Sequence, residues 1–404
     1  MRHERAVVLA VILSTFFVGF GGGVVFPILP NLGAVLGISP FLVGVILSTN
    51  RFVRVVANAP AGSLVDRIGT RTPFVAGLFV EGVATLGYIL AMQSALPEAW
   101  FLLARVLWGV GSALVFATAY TIAADVSTGD SRGANMGVVR GGMTLGFPAG
   151  LVLGGVVSEL FSIPAAFALA AAFALFASVL AYATIPETHV SDSNASVKPW
   201  EIETSVPALT VGAVNFGLYF AYLGALFSTL VLFLATNELA VLGYGPQASS
   251  GVLMAITVIA AAGFMFGGGV LSDRLGMRVP ILIAFLTVSF AGFVLLATAD
   301  SVVVLVAACV LIGTGQGGTS GPLIALLADL TPDERMGRAM GTNNVLGDVG
   351  GGLGPMISLP LVETLGFASI YAACAIVPLL AGFVLLYGVY VQTGSVSPRT
   401  SIGG

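Results

Sequence analysis

The sequence predicts an all-α membrane protein whose twelve transmembrane helices form two six-helix repeats, with both termini cytoplasmic. Three observations carry that prediction. The 404 residues are 57% hydrophobic and only 8% charged, with a mean hydropathy of +1.04, and a soluble fold of this length cannot hide so much apolar surface behind so few charges. Apolar runs of about 20 residues, the length that crosses the hydrocarbon core of a bilayer, recur along the whole chain. The decapeptide GSLVDRIGTR, Gly62 to Arg71, returns 207 positions later as GVLSDRLGMR, Gly269 to Arg278.

The echo continues downstream. RVLWGVG at Arg105 to Gly111 is answered by CVLIGTG at Cys309 to Gly315, Ala124-Asp125 by Ala328-Asp329, Met136-Gly137 by Met340-Gly341 and Glu159 by Glu363, all 204 positions on. A repeat of that length, itself made of several apolar segments, is a duplicated membrane bundle and not a solenoid of short units. Between charged or Pro/Gly breaks the spans read as 6–30, 40–64, 73–93, 99–122, 135–158 and 163–185 in the first repeat. In the second they read as 207–234, 247–271, 279–299, 301–327, 339–362 and 367–392. The expected division is a bundle at 1–185, a cytoplasmic linker at 186–206, a second bundle at 207–393 and a cytoplasmic tail at 394–404.

Orientation follows from the basic residues. Outside the spans, Arg and Lys fall at the N-terminus, in or beside the even-numbered loops, and in the tail, whereas the odd-numbered loops carry Glu98, Glu159, Glu238, Asp300 and Glu363. The apolar run after Met1 is too long for a signal peptide and no A-x-A-like site follows it, so it reads as the first span. Cys309 and Cys374 lie far apart in apolar runs and His3 and His189 in water-facing segments, so neither a disulfide framework nor a metal site is expected. No G-x-x-x-x-G-K-[ST] loop occurs, and the formal G-x-G-x-x-G at Gly313 to Gly318 lies within an apolar span without the strand that a dinucleotide site requires.

The doubled G-x-L-x-D-R-x-G-x-R, the R-x-x-x-G-x-G of span 4 and the Pro186-Glu187-Thr188 that closes span 6 resemble the major facilitator superfamily. The resemblance covers essentially the whole chain. It implies alternating access about a central cavity between two halves, with the chain functioning as a monomer. It also implies a latch in which Gly62, Asp66, Arg67, Gly69, Arg71 and Asp125 act in one half and Gly269, Asp273, Arg274, Gly276, Arg278 and Asp329 in the other. The expected charge clusters are Asp66 with Arg71 and Asp125, and Asp273 with Arg278 and Asp329.

Taken in order, span 1 carries glycines and Phe26-Pro27 to Pro30 that suit packing or a flexible gate. Span 2 places Asn50, Arg54 and Asn58 on one stripe, with Arg51 beside it, at a depth where an unpartnered Arg costs at least about 2.5–3.5 kcal/mol. These arginines either pair between helices or line the cavity. Span 3 holds Glu81, whose counterpart Val288 is apolar. This carboxyl is either a proton carrier or substrate contact, or a buried partner of Arg51, Arg54 or Arg105. Span 4 holds Arg105, where the other repeat has Cys309, and the resemblance assigns such an arginine the tuning of a nearby acid. Span 5 carries Arg140 and GMTLGFPAGLVLGG, a loose match to the drug:proton antiporter signature, and span 11 a G-x-x-x-G-P at Gly350 to Pro355. Both runs are equally glycines for close packing. Span 10 offers Gln316, and span 11 offers Asn344 and Asp348.

The proton-coupling candidates are therefore Glu81, Asp348 and Arg105, and the cavity candidates Asn50, Arg51, Arg54, Arg140, Gln316 and Asn344. The expected activity is proton-coupled export of a small, partly hydrophobic compound, without a cofactor, a metal or a nucleic-acid partner. The expected partners are that substrate, protons and the lipid bilayer of the cell membrane. The positive excess among deep charges keeps open a rival, a carrier of an organic anion, a sugar or another metabolite. A non-transporting sensor on the same fold is a third reading, disfavoured because the sequence shows no soluble signalling domain.

Overall fold

The computed structural model describes residues 2–125, 132–187 and 203–396, and the side chains there except at 2–6, 34, 120, 123, 124 and 132–140. Most of the linker expected at 186–206, the tail from 397 and the side chain of Arg140 lie outside the described residues. Helices account for nearly all that is described: α1 (Arg2–Val35), α2 (Pro40–Ile68), α3 (Arg71–Gln93), α4 (Pro97–Asp125), α5 (Arg132–Leu160), α6 (Ile163–Thr184), α7 (Val206–Tyr219), a π-helical segment (Phe220–Leu226), α8 (Phe227–Thr236), α9 (Pro246–Leu275), α10 (Arg278–Ala297), α11 (Val302–Leu330) and α12 (Asp333–Thr393).

The turn chemistry explains where helices begin and end. Ser39 accepts from the Leu42 N–H at 3.4 Å and Ser162 from the Ala165 N–H at 3.2 Å, each with a proline in the first turn, where its missing N–H costs nothing. α9 stops at Gly276, whose φ of 61° and ψ of 24° are left-handed. Among the described residues eleven helical stretches are long and apolar enough to cross a membrane, α7, the π segment and α8 forming one of them. The last stretch, α12, is 61 residues long and is broken at Gly366 by a φ of 76° and ψ of 164°. The two final apolar runs read from the sequence lie on its two arms.

Two compact units are present: residues 1–200 with 247–252, and residues 201–246 with 253–404. In the first unit α1 packs along α5, α3 along α4 and α6, and α2 along α4; in the second α12 packs along α7 and α10 along α11. Each unit has an aliphatic and aromatic core. Val11, Phe74, Leu78, Val115 and Ala181 belong to the first, and Val211, Leu282, Leu323, Leu327 and Leu385 to the second. Close backbone approach fixes the tightest pair of each. A methyl group on Gly19 would meet the Met143 carbonyl at 2.5 Å, and one on Gly150 would strike the Phe20 carbonyl, which locks α1 to α5. One on Gly350 would strike the Phe216 carbonyl and one on Gly354 would meet the Phe220 carbonyl at 2.6 Å, which locks α12 to α7 and the π segment.

Candidate functional site

Helical spacing puts the polar and aromatic groups of unit 1 on converging faces. Along α4, Arg105, Trp108 and Phe116 recur at offsets of three and eleven; along α2, Asn50 and Arg54 are four apart; along α5, Met143 and Phe147 likewise. With Arg51, Gly19, Gly22 and Phe26 these residues surround a cavity of about 150 Å³. Its described wall carries arginine and aromatic side chains, and among the described residues no acidic one lines it.

Arg105, 2% exposed, is held by hydrogen bonds. Its Nε donates to the Ile46 carbonyl at 3.0 Å, Nη2 to the Leu47 carbonyl at 2.7 Å and to Asn50 Oδ1 at 2.6 Å, and Nη1 to the Tyr88 hydroxyl at 3.4 Å. A helical carbonyl keeps a second lone pair after bonding its own turn, so α2 supplies acceptors without losing its ladder. The guanidinium thus offsets its desolvation with oxygens of α2 and α3, joining α4 to both. Arg54 lies with its guanidinium carbon 5.3 Å from the Phe116 ring centre, a cation–π distance.

Glu81 belongs to α3, behind α4. It is 1% exposed and its Oε1 has no hydrogen-bond partner. Gly77 and Gly111 let α3 and α4 approach so closely that a methyl group on Gly111 would meet Glu81 Cγ at 2.9 Å. Arg54, which faces the cavity, is near enough to Glu81 for its charge to act on the carboxyl. Arg105 therefore sits apart from the acid in its bonding, while Arg54 connects acid and cavity.

Unit 2 is arranged differently. Cys309, at the position of Arg105 in the repeat, is buried. Gln316 and Asn343 are each 5% exposed, and Gln316 Oε1 and Asn343 Oδ1 have no hydrogen-bond partner. Asn215 Nδ2 donates to the Asn343 carbonyl at 3.1 Å, and Thr229 shares a hydrogen bond of 3.0 Å with the Tyr371 hydroxyl. Asp348 is half-buried and Asn344 exposed. Among the described residues no group of His, Cys, Asp and Glu has the arrangement of a metal site.

The repeated decapeptides hold their hairpins by different contacts. In the second copy Arg278 is bridged to Asp273 and, through Nε at 3.0 Å, to Asp329, and it donates to Ser272 Oγ at 2.8 Å. In the first, Arg71 Nη2 donates to the Tyr182 carbonyl at 2.6 Å and its guanidinium lies 4.8 Å from the Tyr182 ring centre. The Glu187 carboxylate accepts from the Thr70 and Arg71 backbone N–H groups, capping α3. Asp66 is half-buried, Arg67 exposed, Asp125 at the end of α4, and Gly69 turns the chain with φ of 87°. Gly62, Gly269 and Arg274 lie on the last two turns of α2 and α9.

Sequence reasoning did not single out Trp108, Phe116 and Phe147 as cavity wall, and it gave Phe26 as part of a run suited to packing or a flexible gate. For Trp108 and Phe116 the available signal was their register with Arg105 along α4, whereas Phe26 and Phe147 lie on other helices without such a marker. It also missed Tyr88, Tyr182 and Glu187 as partners of the two arginines, which spacing within one helix does not reveal.

The family model described as Major Facilitator Superfamily matches residues 11–355. An uncharacterized MFS-type transporter of Methanocaldococcus jannaschii is 26% identical over 378 residues, 93% of this chain and 96% of that protein. The multi-drug resistance efflux pump PmrA of Streptococcus pneumoniae is 26% identical over 375 residues, 90% of this chain and 91% of the pump. The fold is shared with a bacterial homolog of the human lysosomal transporter Spinster, in an inward-facing, unoccupied crystal structure, at a TM-score of 0.79 and 15% identity over 97% of this chain and 98% of that one.

Proposed function

The chain belongs to the major facilitator superfamily, and from that premise we propose that it is a proton-coupled exporter of a small, partly hydrophobic compound, working by alternating access as a monomer in the cell membrane. In this reading the chain crosses the bilayer twelve times, α12 supplying two of the crossings on either side of Gly366, and both termini are cytoplasmic. The observation that carries it is Glu81. A carboxyl group 1% exposed, with one oxygen lacking any hydrogen-bond partner, is costly to keep unless it serves a purpose. Arg54, whose charge acts on Glu81, also lines the cavity, so a proton held at Glu81 and a molecule held in the cavity act on the same guanidinium. The kinship with an efflux pump over nearly the whole chain supports export as the direction. Asp348 is the second proton-carrier candidate, in the other unit.

The test is flux in proteoliposomes with and without an imposed proton gradient. Glu81→Gln is expected to abolish gradient-driven transport while leaving gradient-independent substrate exchange intact, and Asp348→Asn is compared in parallel. Wild-type accumulation by both variants would remove proton coupling from this chain.

A further inference from the structure

We propose that Gly22 is a specificity-determining residue: the side chain it lacks keeps open, in front of Trp108 and Phe147, the space in which unit 1 seats one flat ring of the transported compound. The inference rests on the transporter reading above and adds to it a limit on substrate size. The limit concerns size and not charge.

The glycines of α1 separate into two kinds. A methyl group on Gly23 would strike the Phe147 carbonyl, and one on Gly19, a turn earlier, would meet the Met143 carbonyl at 2.5 Å. Those two positions need glycine because the backbone of α5 lies against them. At Gly22 the nearest atoms are ring carbons. A methyl group there would rest 3.6 Å from Cη2 of Trp108 and 3.8 Å from Cδ2 of Phe147, distances of van der Waals contact, so alanine would fit and would hold the helix better. Packing therefore does not account for glycine at this position.

The cavity does account for it. Val18, Gly22 and Phe26 are spaced four apart and form one stripe of α1, and all three line the cavity of about 150 Å³. Gly22 is half-buried, whereas Gly21 and Gly23 on either side of it are buried, which sets Gly22 apart as the residue at the wall. Around the same space stand the rings of Trp108 and Phe116 on α4 and Phe147 on α5. A space of that volume admits a benzene-sized ring, and aromatic walls favour offset or edge contact with one. Carbon added at position 22 would occupy the place where Trp108 and Phe147 both come within contact, and so would take it from the ligand.

The probe is 4-nitrobenzyl alcohol, flat and uncharged, and its binding to the purified full chain is followed by saturable quenching of tryptophan fluorescence. The wild type is expected to bind it, and Trp108→Phe to lose most of the saturable quenching. Gly22→Ala is expected to weaken binding about tenfold, the scale of one carbon in a fitted pocket, and Gly22→Leu to abolish it. Neither substitution is expected to lower the melting temperature, whereas Gly23→Ala is expected to lower it because its methyl group strikes a carbonyl. Four results would each overturn the inference. They are no saturable binding by the wild type, undiminished quenching in Trp108→Phe, wild-type affinity in Gly22→Ala and Gly22→Leu, and a loss of melting temperature in Gly22→Ala as large as in Gly23→Ala, which would make Gly22 a packing residue. The last comparison stands even if Gly22→Leu does not fold. The exporter reading fails separately: wild-type accumulation by Glu81→Gln and Asp348→Asn would remove proton coupling and leave this result in place, because the probe's binding is read without a gradient.

Discussion

The two halves of the chain share a packing plan and differ in what they bury. In each, a helix from the start of the repeat is locked by glycines to a helix four spans later, α1 to α5 and the α7 stretch to α12. Yet where unit 1 buries Arg105 in a net of four hydrogen bonds, unit 2 buries Cys309. Where unit 1 has Glu81 with an unpaired oxygen, unit 2 has the neutral amides of Gln316 and Asn343, each with one. Close packing is thus what the duplicated scaffold requires, and buried charge is what one copy added or the other lost. A feature present in both copies speaks for folding, while a costly feature present in one speaks for work done there.

The strongest way to break this comparison is to overfill the glycine seams. Gly150→Leu and Gly350→Leu each drive a side chain into a backbone carbonyl of the facing helix and are expected to cost about 3 kcal/mol or more, seen as loss of monodisperse protein and a lower melting temperature. If one seam tolerated its leucine, the shared packing plan would fail. The next contrast sets Arg105→Met against Cys309→Ala. The first leaves Asn50 Oδ1 and the Tyr88 hydroxyl without their guanidinium partner and is expected to cost about 2–3 kcal/mol; the second removes one buried sulfur atom and is expected to cost about 1 kcal/mol. Thermal melts of the two variants measure the difference, and equal shifts would mean that the arginine net adds no more stability than one buried atom of packing.

The smallest contrast lies in the hairpins. Glu187→Gln weakens the cap on α3 and is expected to cost about 1 kcal/mol. Asp329→Asn removes one arm of the Arg278 bridge at a partly exposed site and is expected to cost about 0.5 kcal/mol. Raising the salt concentration sharpens the pair, because the ion pair is screened and the amide cap much less so. An Asp329→Asn effect that persists undiminished in high salt would show that the bridge matters through geometry and not charge.

How much of this was legible beforehand follows from what each signal is made of. Apolar runs separated by charge report directly on helices in lipid, so α2, expected at 40–64, begins at Pro40, and α6, expected at 163–185, runs from Ile163 to Thr184. The break at Gly366 was legible as the gap between two runs. The cavity was half legible: Asn50, Arg51, Arg54 and Arg105 stood out because polar groups are expensive in a span, while Trp108 and Phe147 did not, because an aromatic residue in a membrane helix faces lipid, core or cavity with the same composition. The family resemblance suggested that Arg105 tunes an acid, and one helix's spacing gave no hint that its hydrogen bonds run to the Ile46 and Leu47 carbonyls, Asn50 and Tyr88. Pairing across helices, as in Arg71 with Tyr182 and Glu187, is decided by rotation and tilt that one sequence does not encode locally. In the second copy, Asp273, Arg278 and Asp329 come together; in the first, the arginine's contacts are with the end of α6 and the residues that follow it.

The π-helical segment at Phe220–Leu226 has a consequence for how this chain can change length. A ring closed from i to i+5 holds one residue more than an α-helical turn, so the span Val206–Thr236 carries a surplus that a straight α-helix would expel. Relative to an unbroken α-helix of the same length, the residues after the segment lag by the rotation of about one residue, roughly 100°. Deleting a single residue there would let the span close into an unbroken α-helix. Asn215 and Tyr219 would keep their angle to Ser228 and Thr229, because the residue lost and the turn tightened cancel at about 100° each. The segment is therefore the place in this span where the loss of one codon is absorbed without turning a helix face, whereas the same loss elsewhere in the span turns it.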